Sequence, residues 1–78
     1  MISNDEKIIL NNLPKNFQYI ARNEGIKNDL YIFESKPHMK DGFFNHHSHH
    51  MLFNQFRHIF KSIKPGECYE IQELKRKG

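Results

Sequence analysis

The chain has 78 residues, of which 37% are hydrophobic and 27% are charged, a composition typical of a folded protein rather than a disordered one. A chain of this length forms one domain (1–78) with a modest core and little room for a deep catalytic cleft, so it does not favour an enzyme. The single cysteine, Cys68, excludes an intramolecular disulfide and a cysteine-based zinc site. There is no secretory signal pattern and no apolar run of membrane-spanning length, so we expect a cytoplasmic protein.

Residues 1–13 place a short apolar run behind the polar sequence SNDEK. This pattern predicts either a short helix capped by Ser3 or Asn4, or a flexible, irregular arm. Residues 17–23 and 30–36 are rich in β-branched and aromatic side chains and predict two strands. The loop between them contains turn formers, including Gly25, so the two strands are expected to form an antiparallel hairpin of open register.

Residues 38–45 are interpreted as a loop, with a short third strand allowed at Phe43 and Phe44. Residues 51–63 predict an amphipathic helix, with Ser48 as a plausible N-cap and Pro65-Gly66 as its end. Its apolar positions follow the helical spacing on two overlapping faces, Leu52, Phe56, Ile59 and Ile63, and Phe53, Phe56, Phe60 and Ile63.

Residues 68–73 read as a final strand, and residues 75–78 as a frayed basic tail. The predicted fold is therefore α+β, in the order β-β-(β)-α-β. It has a small antiparallel sheet of three or four strands, with one amphipathic helix packed on one face.

The positive charge is concentrated in the middle of the chain. The whole chain carries 12 Lys and Arg against 9 Asp and Glu, a formal net charge of +3. Residues 36–64 contain five of the basic side chains against Asp41 alone, and all six histidines also lie there. Such a stretch is either a solvated helix face with neighbouring loop charges, or a surface for nucleic acid or for an acidic protein patch.

Four of the histidines are clustered, at His46, His47, His49 and His50. Imidazole is a good ligand for zinc, nickel or copper, and pairs spaced three or four apart meet on one helix face. A third protein ligand with suitable spacing is missing, so the simpler interpretation is a polar loop whose histidines face water. A metal site and a proton switch near pH 6 remain alternatives. We expect no cofactor and no catalytic residue.

Two adjacent aromatics, Phe43 and Phe44, lie in a polar stretch next to Lys40 and the histidines. They are either core residues or the anchor of an interface. If the basic surface is an interface, the expected contacts are Lys36, Lys40, Phe43, Phe44, Arg57 and Lys61.

The segment LPKNFQYIARNEGIKNDLYIFESKP resembles a family of small uncharacterised proteins encoded by phages and prophages of low-GC Gram-positive bacteria. The C-terminal segment IKPGECYEIQEL is also similar to their short acidic strand, whereas the His-rich stretch and the predicted helix depart from the family pattern. The resemblance implies a phage accessory protein, a class that often inhibits or modulates a host or defence factor, and it carries over no functional residue.

The sequence therefore predicts a binding module that docks on a host or defence protein through its basic, His-rich surface. Direct binding of nucleic acid through the same surface is the first alternative. A His-dependent metal-binding protein or small nuclease is the second.

Overall fold

The computed structural model describes residues 2–45 and 49–77 and confirms the α+β fold class. The elements in chain order are α1 (Asn4–Asn11), β1 (Tyr19–Arg22), β2 (Leu30–Phe33), β3 (His38–Lys40), β4 (Phe43–Asn45), β5 (His50–Leu52), a 3-10 turn (Asn54–Phe56), β6 (Cys68–Glu70) and α2 (Ile71–Lys77). Four strands form an antiparallel sheet in the order β5-β2-β1-β6, and β3 and β4 pair as a separate two-stranded sheet.

The predicted hairpin of residues 17–23 and 30–36 is confirmed as β1 and β2, although both strands are shorter than predicted. Tyr19 pairs with Phe33 and Arg22 with Leu30, so the two strands are in full register. The outer edge of β1 then pairs with β6, and that of β2 with β5. The hairpin is therefore the centre of the four-stranded sheet.

Residues 1–13 contain a helix, α1, rather than an irregular arm. Ser3 is the N-cap: its hydroxyl accepts a hydrogen bond from Glu6 N–H at 3.2 Å, while Glu6 Oε1 accepts one from Ser3 N–H at 2.8 Å. This reciprocal pair satisfies two backbone N–H groups that a helix start leaves unbonded. Ile2 and Leu10 are buried in the core, so the segment is packed against the domain.

One face of the sheet holds the main core. Ile20 and Ile32 are directly opposite each other on β1 and β2, and both are fully buried. The side chains that cover this face come from three places: the N-terminal segment, the irregular segment 53–65 and α2, which contribute Ile2, Leu10, Phe53, Phe60, Ile63, Ile71 and Leu74.

The β3–β4 hairpin packs against the β1–β2 loop and borders a cleft with Tyr31 and Phe33 of β2. Asp41 and Gly42 have φ values of +54° and +84°, as a two-residue type I′ turn requires. The strand allowed at Phe43 and Phe44 is confirmed, but the interpretation of 38–45 as a loop is wrong because residues 38–40 form β3. The Asp-Gly pair is the sequence signal that identifies this hairpin.

The helix predicted for residues 51–63 is wrong. The chain instead continues from β5 through the 3-10 turn into further turns as far as Ile63. Phe53, Phe60 and Ile63 are buried as the helical spacing requires, but Leu52 and Ile59 are 48% and 41% exposed. The spacing therefore predicted three core positions correctly and two wrongly, and the backbone took another path.

A buried arginine explains that path. Arg22, 6% exposed, donates from Nε to Ile63 O at 2.8 Å, and from Nη2 to Arg57 O and Phe60 O, each at 3.0 Å. In a continuous α-helix these carbonyls would point along the helix axis and bond to N–H groups four residues later. A series of turns directs them towards one guanidinium instead.

The C-terminal strand ends earlier than predicted. β6 ends at Glu70 and α2 follows at once, so the predicted strand is wrong for residues 71–73. Of the predicted frayed tail at 75–78, residues 75–77 belong to α2. Ile71 and Leu74 are three apart and both buried, which fits one face of a helix.

The N-cap suggested at Ser48 and the histidines at 46 and 47 lie outside the described residues. Within residues 2–45 and 49–77, no helix has the length and apolar character that crossing a membrane demands.

Candidate docking surface

A cleft beside the irregular segment 53–65 collects basic side chains. We call it the basic cleft; its volume is about 240 Å³, and its lining includes Arg22, Arg57, His58, Lys61 and Lys64. None of its lining residues in the described part of the chain is acidic. The turns that replace the predicted helix bring these side chains together, because residues 57, 58, 61 and 64 all border one concavity.

Arg57 is held in position within the basic cleft. It is half-buried, and its Nη1 donates to Lys27 O at 3.3 Å, which links the segment to the β1–β2 loop. Burial lowers the pKa of Arg22, and the positive charge of Arg57 lowers it further. Two guanidinium groups therefore lie near enough for their charges to interact unfavourably.

A second cleft, which we call the loop notch, lies next to the β1–β2 loop. Its volume is about 350 Å³, and its lining includes Ile26, Lys27, Asn28 and Phe43. Ile26 is fully exposed and Phe43 is 54% exposed, although both are large apolar side chains. Exposed apolar side chains grouped beside polar ones are typical of interaction sites.

Backbone contacts hold the β3–β4 hairpin against this loop. Glu24 N–H donates to Gly42 O at 3.0 Å, and Phe44 N–H donates to Asn23 Oδ1 at 3.0 Å. A Cβ placed on Gly25 would meet the ring of Phe43 at 3.6 Å, so that ring lies over the loop backbone. Phe43 therefore packs on the β1–β2 loop while 54% of its surface stays exposed.

The basic cleft and the loop notch form one continuous surface. Asn28 lines both of them, and the Arg57–Lys27 hydrogen bond crosses between them. We call the two clefts together the docking surface. It presents apolar side chains and the Asp29 carboxylate, which accepts a hydrogen bond from Asn54, at one end, and basic side chains at the other.

A third cleft, the aromatic cleft, adjoins the loop notch through Phe43 and Asn23. Its lining includes Tyr31, Phe33, Phe44 and His50. The Tyr31 ring lies 6.0 Å from that of Phe33 and 5.8 Å from that of His50, centroid to centroid. This is where the β3–β4 hairpin leaves part of the sheet face uncovered.

The predicted contact residues fall into two groups. Arg57 and Lys61 border the basic cleft, and Phe43 and Phe44 border the aromatic cleft. Lys40 is exposed and directly opposite Phe43 in the β3–β4 pair, and it lines neither the basic cleft nor the loop notch.

Lys36 borders a different cleft. That cleft is also lined by Cys68, Glu70 and Glu73 on the β6 side of the molecule. Burial raises the pKa of the Cys68 thiol, and the positive charge of Lys36 partly offsets this by lowering it. Two carboxylates beside Lys36 make this cleft electrostatically unlike the basic cleft.

Sequence reasoning missed Ile26, His58 and Lys64 as surface residues of interest. Ile26 follows Gly25 in a polar turn, and an isolated apolar residue at a turn is the signal that identifies it. Lys64 adjoins the Pro65-Gly66 turn, and the incorrect helix prediction placed His58 with polar side chains on the far side of that helix.

The described histidines of the cluster have protein partners. His49 Nδ1 lies 3.5 Å from Glu34 Oε2, and the His50 ring stacks near that of Phe33 at 6.2 Å. Within residues 2–45 and 49–77, no three His, Cys, Asp or Glu side chains are placed to hold a metal ion. Because His46 and His47 lie outside those residues, metal binding by the cluster stays a prediction.

Comparison with known proteins gives no match: no family model matches the chain, and no curated protein or solved structure is significantly similar to it.

Proposed function

We propose that the protein is a binding module that docks on an acidic region of another protein through the docking surface. The observation that supports this most is the direct continuity of two exposed apolar side chains, Ile26 and Phe43, with the basic cleft, which no carboxylate of the described residues lines. Apolar anchors supply most of the affinity of protein interfaces, while complementary charge steers association and sets specificity.

The resemblance to phage-encoded proteins suggests the kind of partner. A host protein or defence factor, inhibited or modulated by occupation of an acidic patch, is the partner class that we propose. Two hydrogen bonds, from Glu24 N–H to Gly42 O and from Phe44 N–H to Asn23 Oδ1, join the β3–β4 hairpin that carries Phe43 to the β1–β2 loop that carries Ile26.

The test is affinity capture from a bacterial lysate with wild-type protein and a charge-reversed variant, Lys61→Glu with Lys64→Glu. Both side chains are exposed, so the fold tolerates the change. We expect one specific prey that the wild type retains at low salt, releases as salt is raised and loses in the variant. Lys15→Glu, on the far cleft between α1 and α2, is the matched control and should retain the prey. Retention by both variants would contradict the proposal.

Direct binding of single-stranded nucleic acid is the second candidate, and the aromatic cleft favours it. Bases stack on exposed aromatic rings while backbone phosphates follow a basic groove, and here the aromatic cleft and basic cleft flank the loop notch. Fluorescence anisotropy with a labelled oligonucleotide tests this. Affinity should fall steeply with salt, with a log–log slope of about −0.7 per phosphate contacted. No binding at low salt excludes this function.

A further inference from the structure

The basic cleft carries positive charge that the described chain does not neutralise. Among residues 2–45 and 49–77, neither Arg57, Lys61 nor Lys64 forms an ion pair with a carboxylate. Glu67 lies close by, but its Oε1 accepts hydrogen bonds from Lys64 N–H at 2.8 Å and from the Tyr69 hydroxyl at 3.0 Å. The Glu67 carboxylate is therefore engaged by neutral donors rather than by the cations.

Arg22 adds a charge that cannot move away. Its four hydrogen bonds, to the carbonyls of Asn28, Arg57, Phe60 and Ile63, fix the guanidinium where it lines the cleft. These carbonyls are neutral acceptors and leave the net charge in place. An anion in the cleft would relieve the repulsion between this group and Arg57.

We propose that the basic cleft is a binding site for a phosphoryl group, with Arg57, Lys61 and Lys64 as its ligands and Arg22 as a fixed positive charge beneath it. Four permanent cations match a phosphate monoester, which carries close to two negative charges, better than a single carboxylate. A guanidinium also binds two phosphate oxygens at once, and the lysines act as point charges beside it. A volume of about 240 Å³ accommodates a tetrahedral oxyanion and several waters.

The occupant that we assign is a phosphorylated side chain of the protein partner, and in this respect the inference rests on the proposed function. The loop notch argues for a peptide rather than a free ion, because Ile26 and Phe43 offer apolar contacts directly beside the cleft. A phosphodiester of a nucleic acid carries one negative charge per phosphate, and its binding is an alternative outcome of the test.

The first experiment uses inorganic phosphate and needs no knowledge of the partner. Thermal unfolding is followed with sodium phosphate and with sodium chloride at matched ionic strength. We expect a saturable rise in Tm with phosphate alone, since a ligand of the native state stabilises it by mass action. Arg57→Gln and Lys61→Gln should each weaken the apparent affinity about tenfold, as loss of one charge-assisted contact predicts.

Lys15→Gln is the control and should respond to phosphate as the wild type does. Phosphorus NMR line broadening gives a second reading that does not depend on stability. A phosphate effect equal to that of chloride, or unchanged in Arg57→Gln and Lys61→Gln, would overturn the inference.

The second experiment separates the sources of the phosphoryl group. Titration compares a phosphoserine peptide with apolar flanking residues, its unphosphorylated form and a short oligonucleotide. We expect the phosphopeptide to bind more tightly than inorganic phosphate. The unphosphorylated peptide should bind more weakly than the phosphopeptide. Preference for the oligonucleotide would overturn the assigned occupant. Capture of a prey that phosphate does not displace would overturn the inference while leaving the proposed function intact.

Discussion

At the scale of single residues, Arg22 stabilises the fold through hydrogen bonds, although its position at the end of β1 suggests a solvent-exposed side chain. It is buried, and it donates to the carbonyl of Asn28 in the β1–β2 loop and to three carbonyls of segment 53–65. The sequence gives no sign of this role, because an arginine at the end of an alternating strand reads as a solvent-facing residue. Its burial can be recognised only from the tertiary structure, which brings the carbonyls of segment 53–65 to its guanidinium.

Arg22→Met should destabilise the protein by about 3 kcal/mol or more, because buried carbonyls would lose their donors and each such loss costs roughly 1–3 kcal/mol. Urea unfolding monitored by circular dichroism measures this. Arg57→Met is the control, since only the backbone carbonyl of Arg57 bonds to Arg22. Similar midpoints for wild type and Arg22→Met would contradict the account of segment 53–65.

Gly66 and Gly25 form a matched pair of glycines. Gly66 has a φ of +85°, and an added Cβ would lie 2.8 Å from Glu24 Oε2, whereas Gly25 has room for a methyl group. Gly66→Ala should cost about 1–2 kcal/mol, and Gly25→Ala should be close to neutral. Unfolding midpoints of the two variants test this. Equal losses would show that the Pro65-Gly66 turn does not require glycine.

Cys68 should react slowly with thiol reagents at neutral pH. Burial raises the pKa of its thiol, so less of the reactive thiolate is present than in a solvent-exposed cysteine. Labelling with a disulfide reagent should be slower than for glutathione and should become fast in urea. Lys36→Gln should slow it further, since the lysine charge lowers this pKa. Faster labelling in that variant would contradict the placement of Lys36.

At the scale of elements, local signals predicted what local contacts determine. The β1–β2 hairpin follows from the alternation in its strands. For residues 1–13 the sequence left open a helix capped by Ser3 or Asn4 and an irregular arm, and the Ser3–Glu6 capping box identifies the helix. The prediction of a helix over 51–63 was wrong because successive turns can bury the same apolar positions. Whether the segment forms a helix or turns depends on Arg22, which is distant in sequence. The prediction of a strand as far as residue 73 was wrong for a related reason. Ile71 and Leu74 are three residues apart, and a helix places both of them on the side that faces the core.

Ser3→Ala tests the capping of α1. Loss of the hydroxyl acceptor for Glu6 N–H should destabilise the protein by about 1 kcal/mol. Ser62→Ala is the contrast, because the buried Ser62 hydroxyl has no hydrogen-bond partner in the described residues, so its removal should be neutral or stabilising. Chemical denaturation compares both. A larger loss for Ser62→Ala would contradict these contacts.

At the scale of the whole molecule, the sequence indicated the positive character of the middle third but not its arrangement. Arg57 and Lys61 share a cleft, and Lys40, Phe43 and Phe44 lie along the adjoining hairpin, whereas Lys36 lies beside carboxylates elsewhere. The fold joins the charge to Ile26, a residue from the other half of the chain. The position of Ile26 beside the basic cleft depends on tertiary contacts between loops, and the spacing of residue types along the sequence does not predict such contacts.

The most direct test of the docking surface asks whether its two ends act on one partner. Quantitative capture from the same lysate compares Ile26→Ser, at the loop notch, with Lys61→Glu, at the basic cleft. Ile8→Ser serves as control, because Ile8 is an exposed apolar residue on α1, outside the docking surface. The account predicts that both docking-surface variants lose the same prey and that Ile8→Ser keeps it. Loss of different preys, or loss in Ile8→Ser alone, would contradict a single continuous surface.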